Sequence, residues 1–287
     1  MKITKTLRRV FNTFAWICIA LVVIVGLIFL YSRYISPYDF SVNKANISSS
    51  NISSSANNIK ILQFSDTHLG FYYDQKQFEK VVEAIKAEKP DIIIFSGDLI
   101  DSLHDYTEDI GQLTALLSSL EAPYGKYCVF GNHDYGGGSE NVYPNIMEAA
   151  GFTLLKNSSF QISGLKINII GIDDVLIGYG DVESAGKTVP GFFNMVIAHE
   201  PDIADEVSKY AVDLMLSSHT HGRQVNISML DNFILPPYGK HYIEGWYKFE
   251  SISSMQLYVT RGIGITQLPL RFNSKPELSV FILKQIQ

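Results

Sequence analysis

Cysteine is almost missing from this 287-residue chain, which has only Cys18 and Cys128. One lies in an apolar N-terminal stretch and the other inside an expected core strand, so both read as small hydrophobes and no disulfide framework is set up. Clusters of basic residues are also lacking: Lys and Arg are spread along a chain of formal charge -6. That excludes a nucleic-acid partner gripped through a basic face. Charge of either sign is absent between Arg9 and Arg33, and no small-x-small cleavage site follows in Phe29-Leu30-Tyr31-Ser32-Arg33-Tyr34.

The uncharged gap is the first positive signal. Ala15 to Tyr31 is nearly all apolar, and with Phe11 to Phe14 added it reaches the ~20 residues that a bilayer-spanning helix needs. A buried core helix of that length would seldom be uncharged all round. Residues 1–34 are therefore expected to form a basic stub and a transmembrane signal anchor, left uncleaved for want of a cleavage site. Arg8-Arg9-Val10-Phe11 matches part of a twin-arginine export motif, but Leu7 and Asn12 depart from it, so the arginines read as topology charges. Lys2, Lys5, Arg8 and Arg9 precede the span and only Arg33 follows closely. The positive-inside rule then expects a single-pass cell-membrane protein whose remaining domain is extracytoplasmic.

Residues 35–58 include a polar stretch in which Asn-Ile-Ser-Ser-Ser occurs at Asn46 and again at Asn51. With few apolar residues it reads as a flexible tether. The main folded domain is then expected over residues 59–287. The remaining length, in a chain that is 46% hydrophobic, is ample for one large core.

Within that domain the apolar runs share a way of ending. Ile59 to Ser65 stops at Asp66-Thr67-His68, Asp91 to Ser96 at Gly97-Asp98, Tyr127 to Phe130 at Gly131-Asn132-His133-Asp134, Phe192 to Ala198 at His199, and Asp213 to Ser218 at His219-Thr220-His221. Amphipathic helices are expected between them: Tyr73 to Lys89, with Phe78, Val81, Val82 and Ile85 on one face, then Thr107 to Leu120 and Ser139 to Ala150. Strand and helix in alternation make an α/β domain with parallel strands, whose carboxyl ends are where ligands bind. Asp, Asn and His gathered at one rim suit a metal centre. After residue 150 a hairpin is expected to turn near Ser163-Gly164, with further strands over Val225 to Ile234 and Met255 to Thr260.

Asp66-x-His68, Gly97-Asp98-x-x-Asp101, Gly131-Asn132-His133-Asp134, a lone His199 and Ser218-His219-x-His221, in that order, resemble the calcineurin-like metallophosphoesterases. Ser218 stands where that family usually has Gly, at no loss of a ligand. The resemblance implies a four-layer α/β/β/α sandwich of two mixed sheets flanked by helices. It further implies two divalent metal ions, manganese, iron or zinc. Asp66, His68, Asp98 and His221 would hold one, and Asp98, Asn132, His199 and His219 the other, with Asp98 as the bridge. Such a pair, ~3.5–4 Å apart, clamps a phosphoryl group and lowers the pKa of a bridging water for in-line attack.

By the same resemblance His133 is no ligand but the group that steadies phosphoryl oxygens or protonates the leaving alkoxide, with Asp101 orienting it. Arg223, close behind His221, is expected either to take a second phosphate oxygen pair bidentately or to point into solvent. Asp101, Asp134 and Glu200 read equally as parts of the site or as no more than loop carboxylates or helix caps. The aromatic, Gly-rich Leu235 to Tyr247 and the segments Arg261-Gly262-Ile263-Gly264 and Leu268-Pro269-Leu270-Arg271-Phe272 resemble a membrane-associated bacterial-type phosphodiesterase branch. Monoester or diester substrates, lipid-linked or nucleotide, follow from that resemblance. A non-catalytic scaffold on the same fold is the alternative, although such relatives usually lack ligands and this chain has all seven.

Overall fold

The computed structural model describes residues 2–250, 252 and 254–286. A 33-residue helix, α1 (Lys2–Tyr34), leads into β1 (Ser41–Ser49) and β2 (Lys60–Phe64). There follow α2 (Gln75–Glu88), β3 (Ile92–Phe95), α3 (Ile110–Ser118), β4 (Lys126–Cys128), the single turn α4 (Asn132–Tyr135), α5 (Tyr143–Ala149) and β5 (Phe152–Leu154). The second half contains β6 (Ser158–Ile162), β7 (Ile167–Gly171), β8 (Phe193–Ile197), α6 (Ala204–Val207), β9 (Leu214–Ser217), α7 (Asp231–Ile234), β10 (Gly245–Lys248), β11 (Gln256–Val259) and β12 (Glu277–Gln285).

Two six-stranded sheets result, ordered β1-β12-β2-β3-β4-β5 and β10-β11-β9-β8-β7-β6. Both are mixed. In the first, β12 runs antiparallel to β2 while β2, β3, β4 and β5 are parallel. In the second, β7, β8, β9 and β11 are parallel, with β6 and β10 antiparallel at the edges.

The period-2 alternation of strands sorts the apolar residues into three cores. Ile61, Ile92 and Ile94 meet Ile169, Met195, Ile197, Leu214 and Leu216 between the sheets. Their neighbours Leu62, Ile93 and Phe95 point the other way, onto Phe78, Val81, Leu113, Leu117 and Ile146 of α2, α3 and α5. Behind the second sheet, Ile170, Val196 and Met215 pack on Ala204 and Val207 of α6. This is the expected four-layer sandwich. Each large apolar side chain so buried contributes roughly 1.5–3 kcal/mol.

Helix α2 forms where the pattern puts it, because local chemistry agrees at both ends. Asp74 accepts from the Gln77 backbone at 2.7 Å and Gln77 Oε1 from the Asp74 backbone at 2.8 Å, a reciprocal cap. Lys89 then turns into the left-handed region ahead of Pro90 and stops it.

The expected tether is not one. Residues 41–49 form an edge strand in continuous parallel register with β12, Ser41 opposite Glu277 through Ser49 opposite Gln285. Its polar composition misled because the ladder is made by backbone groups, and an edge strand buries few side chains. The few apolar residues present are well placed: Ile47, Ile52 and Ala56 are completely or almost completely buried in the inter-sheet core. Asn51 and Ser49 fasten the segment to Asp213 at 2.8 and 3.1 Å. The domain thus begins before residue 59.

A second correction concerns Val225 to Ile234. Only Val225 makes a bridge, to Phe272, and the rest is two short helical turns ending in α7. The hairpin joining β6 and β7 and the strand at Met255 to Thr260, seen as β11, lie as expected.

Candidate metal centre

Five strands deliver the motif residues to one pole. Asp66 and His68 follow β2, Asp98 and Asp101 follow β3, Asn132 opens α4 after β4, His199 follows β8, and His219 and His221 follow β9. Carboxyl ends of parallel strands from both sheets meet there. Asp98 is central: its Oδ2 lies 3.4 Å from His68 Nε2 and 3.1 Å from His199 Nε2, and its Oδ1 accepts from the His133 backbone at 2.9 Å. Asp66 Oδ1 is 3.6 Å from His221 Nε2, which is 3.0 Å from His68 Nε2. Donor atoms of Asp66, His68 and His221 fall within 4.8 Å of one another, as do those of Asp98, His199 and His219.

Among the buried atoms of this cluster that have no hydrogen-bond partner in the protein are three, Asp66 Oδ2, Asn132 Oδ1 and His199 Nε2, at candidate ligand positions. A buried acceptor left unpaired costs ~1–3 kcal/mol, more if charged, so three together call for a cation. An all-oxygen and imidazole set fits manganese, iron or zinc.

The backbone is bent to aim these side chains. Asp66, His68, Asp98, His219 and His221 all have positive φ, between 40° and 72°. Each such non-glycine residue costs of order 1–3 kcal/mol, and clustering of that kind marks functional sites. Two glycines make room: a Cβ on Gly131 would strike Asp98 Oδ1, and one on Gly97, at φ +99°, would strike the Gly131 backbone. Ser218 needs no glycine, since its φ is not positive and its Oγ donates to Ser96 O at 2.9 Å.

Electrostatics act on the donors in both directions. Burial pushes the Asp66 carboxyl up. Burial would also raise Asp98, but the charges of His199 and His133 outweigh it and hold this carboxyl well below the ordinary range. Burial, reinforced by His199, takes His219 down to about 4. Burial, His68 and Arg271 likewise press His221 well down. His199 goes the other way: burial opposes its charge, but Asp98, Asp66 and Glu200 hold it well above the ordinary value. Ligation would displace that proton, since neutral imidazole is the ligating form.

A shell of polar contacts, an ion-pair contact at His68 and hydrogen bonds at His199 and His219, fixes the rings. His68 Nδ1 is 2.9 Å from Asp101 Oδ1, His199 Nδ1 donates to Ser96 O at 2.7 Å, and His219 Nε2 to Pro237 O at 2.9 Å. That leaves Nε2 of His68 and His199, and Nδ1 of His219, for a metal. Asp101 therefore differs from expectation. Its carboxylate serves His68, and His133 is held by its backbone carbonyl at 2.7 Å, the carboxylate standing 3.6 Å away. Arg223 differs as well: it lines the cleft, but its fork is taken by Asp231, at 2.7 and 2.9 Å.

Two residues were not singled out as part of the site in sequence. Asp134 is a buried cap that accepts from the backbones of Asp98, Leu99 and Gly131 at 2.8, 2.9 and 2.9 Å, fixing two ligand loops together. Arg271 is fully buried and donates to the carbonyls of Gly264, Ser274 and Arg261, with Nη2 3.3 Å from His221 Nδ1. Glu200 is buried too, while His104 and His241 are exposed.

His68, Asp98, Asn132, His133, His219 and His221 floor a cleft of about 210 Å³, walled by Val225, Phe233, Pro236, Thr266 and Leu268. A profile described as calcineurin-like phosphoesterase matches residues 59–223, more than half the chain. The protein belongs to that family. The metallophosphoesterase YkuE of Bacillus subtilis is 41% identical over 258 residues, covering 88% of this chain and 89% of its own. The phosphodiesterase YaeI of Escherichia coli is 28% identical, over 78% of this chain and 82% of its own. A transmembrane protein with a metallophosphoesterase domain from Danio rerio is 29% identical over 80% of this chain and 54% of its own. This metallophosphoesterase is accordingly a hydrolase acting on phosphate esters, on a bacterial-type branch.

Proposed function

We propose that this metallophosphoesterase is a membrane-anchored, dinuclear-metal enzyme that hydrolyses phosphodiesters in preference to monoesters. The observation that carries the metal reading is the Asp98 carboxylate standing between His68 and His199, amid three orphaned donor atoms. Asp66, His68, Asp98 and His221 would hold one divalent ion, and Asp98, Asn132, His199 and His219 the other. Manganese, iron or zinc in that pair supplies charge neutralisation and an activated water at neutral pH. Diester chemistry is favoured by the name of the E. coli relative.

The protein's own groups supply the rest. His133 Nδ1 donates to Asp101 O, leaving Nε2 for the cleft that the ring lines. Burial opposes its charge, but Asp98 and Asp101 raise its pKa above the ordinary value, and an imidazole so placed can give a proton to a leaving alkoxide. Asp101, held low by His68 and Thr266 against the effect of burial, positions His68. Pro236, Leu176 and Leu268 keep part of the cleft apolar, which strengthens charge interactions inside it.

The anchor is α1, whose apolar side chains from Leu7 to Tyr34 are exposed and which is long enough to cross a bilayer. The charge asymmetry across it supports a catalytic domain outside the cytoplasm. The test is hydrolysis of nitrophenyl phosphate and bis(nitrophenyl) phosphate by the full chain before and after chelation, then with manganese, iron or zinc restored. Loss on chelation, recovery with metal and faster diester cleavage are expected. Turnover untouched by chelation would overturn the metal reading, and monoester preference would overturn the diester one.

A further inference from the structure

The mouth of the cleft is physically tied to the foot of α1. The backbone N–H of Arg271 donates to Ser32 O, in the last turn of the helix, at 2.9 Å. Ser32 and Ser36 are buried against the domain, whereas the helix before them is exposed. Tyr31, Arg33 and Tyr34 form the aromatic and cationic collar that marks where a span leaves the hydrocarbon, with the Arg33 guanidinium over the Tyr34 and Tyr72 rings at 5.1 and 6.0 Å. Three residues back from Arg271 is Leu268, so their Cα atoms are at most ~11 Å apart even in a fully extended chain. Leu268 is half-exposed and lines the cleft, and Gln224 Nε2 clamps its carbonyl at 2.7 Å and that of Thr266 at 2.9 Å. One lip of the cleft is thus held beside the membrane collar.

The lip that adjoins it through the Val225–Phe272 bridge is apolar and exposed to an unusual degree. Met229 is 89% and Phe233 87% exposed, with Ile227 and Leu230 partly so. Single exposed apolar residues need no explanation, but four within seven residues, beside a site mouth, make a patch of the kind that meets another apolar phase. The charge in that stretch, Asp231, is already paired with Arg223.

We propose that this lip seats in the surface of the bilayer that α1 crosses, so that the cleft takes phosphate esters of membrane amphiphiles from the lipid side. The inference rests on the membrane reading of α1 given above. A bilayer is favoured over a partner protein because the segment bridged to this lip, at Val225–Phe272, is hydrogen-bonded through Arg271 to the very turn where the span ends. An apolar lip placed there sits at the depth of ~5–10 Å that interfacial elements reach.

The test uses the full chain in phosphatidylcholine–phosphatidylglycerol vesicles, with nitroxide labels read by relaxation with oxygen and with a water-soluble nickel complex. Native Cys18 is exposed and reports the anchor, and Cys128 is buried and stays unlabelled. A label at Met229→Cys in a Cys18→Ala background reports the lip, and one at Ser119→Cys in the same background, at the opposite pole of the strands, reports solvent. The Cys18 and Met229 positions should be oxygen-dominated and Ser119 nickel-dominated. Nickel access at Cys18 would refute the anchor itself. Protection at Cys18 with nickel access at Met229, or dipolar broadening between labels at 229, would overturn lip docking alone, the latter showing a second copy instead.

Activity gives an independent reading. Met229→Glu should slow cleavage of a nitrophenyl ester of phosphatidic acid in the vesicles about tenfold, and leave soluble bis(nitrophenyl) phosphate unchanged. Equal losses on both, or no cleavage of the vesicle-borne ester by wild type, would overturn the proposal.

Discussion

His133 and Arg223 show how much a side chain's role depends on what already occupies its hydrogen-bonding edge. His133 has its Nδ1 satisfied and Nε2 facing the cleft, so His133→Gln should keep its metal yet lose turnover, by ~10²–10⁴ on an alkyl diester and much less on a nitrophenyl one that departs without a proton. The comparison is wild type against variant on both esters at matched metal content. Equal fractional losses would assign His133 to charge alone. Arg223 is committed to Asp231, so Arg223→Ala should alter KM less than about threefold, while removal of the bidentate pair speeds proteolysis within 223–234. A large KM change with no change in cutting would return Arg223 to the substrate. The seven candidate ligands were legible because each follows an apolar run in a fixed order. Arg271 was not: in Leu268-Pro269-Leu270-Arg271-Phe272 it looks like one more surface arginine, and only the fold reveals that carbonyls surround it and that it braces His221.

At the scale of elements, legibility followed how much of the information was local. α2 declared itself through its cap at Asp74, its stop at Lys89 and its apolar stripe, all within the segment. β1 could not, because its partner β12 begins at Glu277 and its ladder is indifferent to side chains. Val225 to Ile234 misled in the opposite sense, apolar residues standing for a strand where they form the exposed lip. β1 makes two predictions. Ile47→Ala, at a completely buried position, should cost ~2–5 kcal/mol, measured as a lower denaturation midpoint with an unchanged denaturant slope. A fragment starting at Ile59 strips β12 of its neighbour and should melt well below one starting at Ser36. Equal melting temperatures would mean that β1 contributes nothing to stability.

For the whole molecule, the four-layer sandwich was implied by the order of the motifs rather than by periodicity, which reached only a mixed α/β domain. What periodicity could not tell is which strands share a sheet, since β1, β12 and β2 join the two ends of the domain. α1 ends at the rim of the candidate metal site's cleft, and under the proposed anchoring, helix and catalytic pole form one device. A reporter active only in the cytoplasm, fused after Gln287, should be silent, and a strong signal would reverse the orientation. The account turns on Asp98 as the one carboxylate shared by two metal sites. Metal content of the purified full chain, measured beside turnover for wild type and Asp98→Asn, tests it most directly. About two ions per chain are expected in wild type, with occupancy and turnover lost together in the variant, because a neutral amide cannot replace an anion between two dications. An Asp98→Asn protein that kept both its metal and its activity would contradict the account.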